Sequence, residues 1–351
     1  MKNNLDMILN GSVLKMIYKL SLPNSVTGIS MVLIVISDAY FISQLGNIPL
    51  ASLALVFPFI TLMQMMSAGA IGGASTSSIS RFLGAGANNK ANSAVYHALL
   101  IGVIMSIIYT MIFGFFPRYI YSLMGGSGKV LEGAVNFSKI AFGGAIFTWL
   151  LFVFSAILRA TGEFVFPAKV QILGCLFQII LAGVLTLGWF GVTSFGIVGP
   201  AIAMVISHFF MTIFLYLYIK YKQKIIKLSL YPLNKKSFLD IMKVGVGGLI
   251  NSTTIAGTVA VVTATVSYYG VDALAGYGLG SRLEIIITPL VFGIGSVLTA
   301  TVGINAGANQ MYRARKIAIV GAMISFVMVG IISLVVFFYP EIWLDNFKTN
   351  I

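Results

Sequence analysis

The feature that most constrains this chain is a succession of long apolar runs, divided by short loops that hold most of the charge. A helix needs about 20 mostly apolar residues to cross the hydrocarbon core of a bilayer. Nine runs meet that need, roughly 17 to 45, 50 to 80, 93 to 116, 134 to 157, 164 to 189, 196 to 219, 241 to 269, 273 to 304 and 317 to 339. They are unbroken stretches of Val, Ile, Leu, Phe and Met rather than short alternating segments, which excludes a transmembrane β-barrel. Only 9% of the 351 residues are charged, against about 25% in a soluble domain, so a water-soluble surface is out of reach. The expectation is an all-α polytopic membrane protein with about nine transmembrane helices.

The formal charge of +13 does not point to nucleic acid, because the basic residues lie in short loops and share no folded soluble face. Sorted by loop, 17 fall on the side of the N-terminus and the 220 to 243 loop, while 4 (Arg118, Lys129, Lys139 and Lys348) fall on the other, with Arg282 inside a span. The positive-inside rule then places the N-terminus and that loop in the cytoplasm of a cell membrane. The opening segment MKNNLDMILNGSVLKMIYKL contains Asp6 and lacks a small-residue cleavage site, so it does not read as a removable signal peptide. The lone Cys175 sits in an apolar run and allows no intramolecular disulfide; it reads as a small buried hydrophobe.

An internal repeat runs through the chain at an offset of 224: Lys19 pairs with Lys243, and LGNIPLASLAL (45–55) with YGVDALAGYGL (269–279). AGAN recurs at 85–88 and 306–309, and FFP at 115–117 returns as FYP at 338–340. The first copy holds six spans, an even number, so the second enters the membrane in the same orientation, as a parallel repeat. The expected division is an N-terminal six-helix lobe over 1–224, a cytoplasmic linker over 225–240 containing Pro232, and a partial C-terminal lobe over 241–351 with helices seven to nine. A full second copy would end near about residue 448, about 97 residues past Ile351, so the chain reads as C-terminally truncated.

Nothing enzymatic stands out: no HExxH, no GxxxxGK[ST] and no Cys or His cluster occurs, so neither catalytic residues nor cofactors nor a bound structural metal are expected. The histidines, His97 and His208, are far apart; His208 reads as a hydrogen-bonded packing residue and His97 as interfacial. Of nine acidic residues only Asp38 and Glu284 lie well inside spans. Asp38 is eight residues before Gly46, about 12 Å below the outer turn, and Glu284 is eleven residues past Ala273, about 16 Å down from the same side. An intramembrane carboxylate is a functional candidate by default because it must be neutralised, paired or hydrated. Arg282 is no ready partner for Glu284, since residues two apart on a helix point away from each other. Desolvation favours the protonated acid and a bound cation the ionised one, so Asp38 fits a proton or sodium switch. The repeat places Val262 opposite Asp38, which makes any coupling site asymmetric between the halves.

Pro23, fifteen residues before Asp38, removes a backbone bond and marks a hinge in the first helix. Pro58, Pro200 and Pro289 are further candidate bends, and the doublets at 72–73, 143–144 and 247–248 read as close helix packing. The intramembrane amides Gln64, Gln171, Gln178 and Asn251 point to a cavity, since a buried amide needs partners.

These residues resemble the multidrug and toxic compound extrusion (MATE) transporters. The likeness rests on DAYFISQLGNIPLASLAL from Asp38, GGASTSSISRFLGAGANNKA from Gly72, ILRATGEFVFP at 157–167, GIVGPAIAMVIS at 196–207, and YYGVDALAGYGLGSRLE with VGINAGAN in the second half. It covers the whole chain as spans one to nine of a twelve-span protein. The resemblance implies two six-helix lobes around a central cavity, and antiport of Na+ or H+ against cationic or amphipathic organic compounds by a monomer. It implies Asp38 as the first-helix coupling acid, Pro23 as the bend below it, and Glu284, in SRLE, as a second family position. Where many relatives carry Asn-x-x-x-Asp in the fifth span this chain has Gln178 and Ala182, and Met204 replaces a sixth-span Thr. Asn251 stands near where one branch carries a seventh-span Glu. The expected roles are cation coupling for Asp38 and Glu284, and substrate contact for Gln64, Gln178, Met204 and Asn251. Two rivals are a flippase for lipid-linked saccharide, which would want more deep charge than Arg282, and a non-functional remnant.

Overall fold

The computed structural model describes residues 2–341, with the side chains at 2, 3, 260, 264, 267, 271, 272, 274, 275, 278, 279 and 281–286 outside the description. Every regular element among the described residues is a helix, as apolar runs in lipid require when each backbone N–H and C=O must bond within its own segment. A short helix α1 (Lys2–Asn10) precedes the first span, α2 (Val13–Ser43). The second span is one rod made of α3 (Asn47–Gln64), a π turn (Met65–Ile71) and α4 (Gly72–Gly84). The third is α5 (Asn88–Tyr109), continued by a π turn to Phe115, and α6 (Pro117–Leu123) is a short connector. The fourth is the pair α7 (Gly128–Gly143) and α8 (Ala145–Ala160), bent by 45°. Then follow α9 (Val165–Leu187), α10 (Gly199–Tyr221), α11 (Lys235–Ser267), α12 (Val271–Gly307) and α13 (Met311–Phe338). Eight of these rods are long and apolar enough to cross a membrane, and the bent pair makes nine.

Two sequence expectations change. The linker drawn over 225–240 is irregular only as far as Asn234, whose side chain caps α11 by accepting from the Lys236 N–H at 2.8 Å. The helix therefore starts in water, on charged residues that an apolar window leaves out. The doublet at 143–144 is the bend in the fourth span as well as a packing point, since a Cβ on Gly144 would strike the Val205 side chain.

The repeat is written into the backbone. Gly46 and Gly270, 224 residues apart, open the second and eighth spans at φ 108°, ψ −179° and φ 102°, ψ 174°, a conformation that favours glycine. At the far ends of those spans the chain closes the helix with the same turn: Ala87 N–H reaches Phe82 C=O at 2.9 Å, and Gln310 N–H reaches Asn305 C=O at 2.8 Å. The left-handed residue of that turn is Gly86 in the first copy and Asn309 in the second, so the two AGAN segments are equivalent in role but two residues out of structural register.

The first lobe is packed around aromatic rings. Tyr109, Phe113, Phe142 and Trp149 form one cluster, with Phe113 and Phe142 5.1 Å apart between ring centres. Ser138 donates to the Phe113 carbonyl at 3.0 Å in the π turn of the third span, and Thr110 to the Phe142 carbonyl at 2.7 Å beside the bend of the fourth, so backbone acceptors at both irregularities are satisfied. A second core joins the halves: Ile8, Met16, Ile17, Leu20 and Phe164 meet Val297, Ala300, Ile304 and Ile317.

The described contacts between the lobes lie between the level of Gly28 and the basic ends of the helices. Gly28 of α2 rests on Pro289, Ser25 on Gly293, and Asn24 Nδ2 donates to Ser296 Oγ at 3.3 Å. Nearer the basic face, Gly84 lies against the Ile304 carbonyl and Gly307 against the Arg81 carbonyl, backbone on backbone. Toward the other face Ile36 and Tyr40 of α2 and Val259 and Val261 of α11 are exposed, while Phe41 and Ile42 of α2 are buried in the first lobe.

Helix α1 is strapped across both lobes on the basic face. Asn4 Nδ2 donates to Gly162 C=O at 3.1 Å in the first lobe, while Arg313 of α13 donates to the carbonyls of Ile8 (3.0 Å), Gly11 (2.6 Å) and Met7 (3.4 Å). These carbonyls lie at the C-terminal end of α1, where, among the described residues, all but that of Met7, which also accepts from the Gly11 N–H at 3.0 Å, lack a backbone partner, and a cation holds them where the dipole favours one. Arg313→Gln is expected to lower stability by about 1–3 kcal/mol and to speed amide exchange across residues 4–10; unchanged exchange would show that the apolar contacts of Ile8 suffice to hold the strap.

Candidate functional site

Asp38 stands in α2 with its Oδ1 atom buried and without a hydrogen-bond partner. Ile34 and Val35 one turn back, and Met31 two turns back, on the same side of the helix line a narrow cavity inside the first lobe. Gln64 from α3, Leu151 and Phe152 from α8, Gln171, Cys175 and Gln178 from α9, and His208 and Met211 from α10 complete its wall. Its volume is about 30 Å³, room for about one water molecule.

The polar groups around this cavity are neutral and partly satisfied. Gln171 Nε2 donates to Ser155 Oγ at 2.9 Å, and Ser155 in turn donates to the Leu151 carbonyl at 2.8 Å. His208 Nδ1 is 2.8 Å from Thr148 Oγ1. Gln178 Oε1 is buried with no partner. Asp38 Oδ1 and Gln178 Oε1 are both acceptors, so the group that would complete either one is a donor or a cation. A buried acceptor left unmade costs about 1–3 kcal/mol, more when charged, and a bound proton or monovalent cation offsets that cost.

The structure thus brings Asp38, Gln64 and Gln178 to one side of the first lobe. Met204 is a buried core residue one turn before His208 and is not among the residues that line this cavity. Asn251 is exposed on α11 rather than buried among partners. Glu284 lies in α12, and its side chain falls outside the described residues, as does that of Arg282. Pro23 lies inside α2, which continues unbroken past it, and Thr27 Oγ1 donates to its carbonyl at 3.0 Å. His208, read from sequence as a hydrogen-bonded packing residue, is both bonded and cavity-lining. Sequence reading missed one polar junction, the ion pair of Arg81 with Asp240 at 2.9 Å. Residues so far apart in the chain carry no local signal of such a partnership.

The MatE family model matches residues 23–184 and 249–351, most of both repeats. The chain belongs to the MATE transporter family. This MATE-family chain is 24% identical over 311 residues to the probable multidrug resistance protein YoeA of Bacillus subtilis, covering 87% of itself and 67% of that relative. It is 24% identical over 346 residues to a FAD transporter of Shewanella oneidensis, covering 98% of itself and 76% of that protein. Its fold superimposes with a TM-score of 0.87 on a solved outward-facing conformation of a multidrug resistance MATE family transporter, at 21% identity, over 95% of this chain and 74% of that one. The all-helical, multi-span architecture read from the sequence is the MATE fold.

Proposed function

We propose that this chain exports cationic or amphipathic organic compounds across the cell membrane in exchange for inward Na+ or H+, with the basic face cytoplasmic. Asp38 is the main coupling carboxylate, Gln64 and Gln178 contact the cargo or ion beside it, Glu284 assists from the second lobe, and Pro23 is the hinge of α2. The observation that carries this reading is Asp38 Oδ1, an acid oxygen buried in a membrane span with no partner. Such a group holds either a proton or a cation whenever it is shut away from water. A cargo cation and the coupling ion that compete for one carboxylate are exchanged rather than carried together, which is antiport. The basic asymmetry of 17 residues to 4 supports the orientation. One relative is named for probable multidrug resistance and another as a FAD transporter, so the cargo is tested as a cation and as a dinucleotide.

The test is efflux of a fluorescent organic cation from cells making this chain, with and without an agent that dissipates the Na+ or H+ gradient. Gradient-dependent export, several-fold above cells with an empty vector, is expected. Export that persists after both gradients are collapsed would overturn antiport, and export of FAD but not of the cation would overturn the cargo class.

A further inference from the structure

We propose that Asp240 is the latch of the basic face, a positioning residue that holds the seventh span on the first lobe and lets go each time that face opens. Asp240 lies near the start of α11 and belongs to the second repeat. Arg81, in the last turn of α4, donates from Nη2 to both of its carboxylate oxygens, at 3.1 and 2.9 Å. The Ser78 hydroxyl, one turn earlier and fully buried, donates to the Oδ2 atom. Arg81 is itself oriented by its Nε–H donating to the Ser77 carbonyl at 3.2 Å.

The surroundings present Asp240 at a set position. The backbone N–H of Asn234 donates to His97 Nε2 at 2.9 Å, and His97 Nδ1 bonds the Ser93 carbonyl at 2.7 Å. Ser93 and Ser237 share a hydrogen bond of 3.2 Å, so the first turn of α11 is pinned to α5. Farther along, Gly245 and Gly248 let α11 settle on Ile71, Ala74 and Ala70 of the second span.

Two facts separate a latch from a permanent bolt. The other described acids on this face are already engaged within the chain around them: Asp6 accepts from Asn10, and Glu163 caps α9 through Val165 and Phe166. Among the described residues Asp240 forms the one ion pair, and it crosses between repeats. The side chains of Arg81 and Asp240 are 41% and 31% exposed, so water solvates both when they part and the cost of opening stays small. A buried pair would be far harder to break.

The inference rests on the proposed exchange cycle, but its test reads distance and not transport. Spin labels at Lys90→Cys in the first lobe and Lys243→Cys on α11, both exposed positions, in a Cys175→Ala background, report the separation by pulsed dipolar spectroscopy in nanodiscs. Asp240→Asn and Arg81→Gln are each expected to add a longer-distance population, raising its ratio to the short one about tenfold. The swap of Arg81→Asp with Asp240→Arg is expected to restore the short distance. Should the single variants not fold, Ser78→Ala keeps the charges, removes one hydrogen bond and is expected to raise the ratio about threefold. Distances identical to the parent in these variants, or a swap no different from the singles, would overturn the latch. Lost efflux in Asp38→Asn with unchanged distances bears on the coupling site and leaves the latch standing.

Discussion

Cells making Asp38→Asn are expected to lose gradient-driven efflux entirely while making and inserting the protein at normal levels. The reason is electrical as much as chemical. Moving one positive charge outward against about 100 mV costs about 2.3 kcal/mol, so a monovalent cation left to equilibrate concentrates about fiftyfold inside the cell. Inward flow of one Na+ or H+ per cation cancels that term and leaves the ion gradient to drive export. Asparagine keeps the size of the side chain but holds neither a proton nor a cation. The substituted chain should at best let the cation run to its electrical equilibrium, whereas the parent holds it well below. Because Asp38 Oδ1 has no hydrogen-bond partner, the substitution keeps the shape of the side chain and breaks no such bond, so thermal stability should hold. Intracellular dye at the parent level in the variant would sink the assignment; a collapse in stability would instead give Asp38 a structural role.

A methyl group at Gly84 or Gly307 should be nearly as damaging, for a different reason. A Cβ on Gly84 would run into the Ile304 carbonyl oxygen, and one on Gly307 into that of Arg81. Both obstacles are backbone, with no rotamer to swing away, so α4 and α12 must separate. Overpacking of this kind costs about 1–3 kcal/mol, which is about a fivefold to 150-fold shift away from the state closed on the basic face. Gly84→Ala and Gly307→Ala are expected to lower efflux by at least about fivefold with insertion intact. Gly73→Ala is the control, because nothing lies within 4 Å of its added carbon. Equal loss in all three would trace the effect to helix propensity and not to the contact between lobes.

The spans were legible because lipid imposes a one-dimensional rule: a helix must be apolar for its crossing length, and each of the nine runs is. What that rule reads poorly is where a helix continues into water, which is why α11 reaches back to Lys235 past the apolar window. The π turn at Met65–Ile71 was invisible, since MMSAGAI differs from its neighbours in no property that sets backbone winding. At the site, Asp38, Gln64 and Gln178 announced themselves as polar groups in apolar runs. Met204 lies in the core one turn from His208, and helical phase does not tell a residue that fills the lobe from one that borders a cavity. Asn251 followed the same rule as the glutamines and still landed on an exposed face, because exposure there depends on how α11 lies against the first lobe. The bond between Arg81 and Asp240 needed three-dimensional neighbours.

In the exchange cycle proposed above, the seam of Gly28, Gly84 and Gly307 bears on how often the molecule can turn over. Side chains that interdigitate must give up rotamer freedom at each closing and regain it at each opening, at about 0.5–1.5 kcal/mol for each long one. A contact made of backbone has no such freedom to lose. Glycine in a helix charges its entropy once, when the chain folds, and nothing further with each stroke. The closed seam therefore stays well packed without becoming a deep thermodynamic trap, and the exchange between states can be governed by the few polar bonds that cross it.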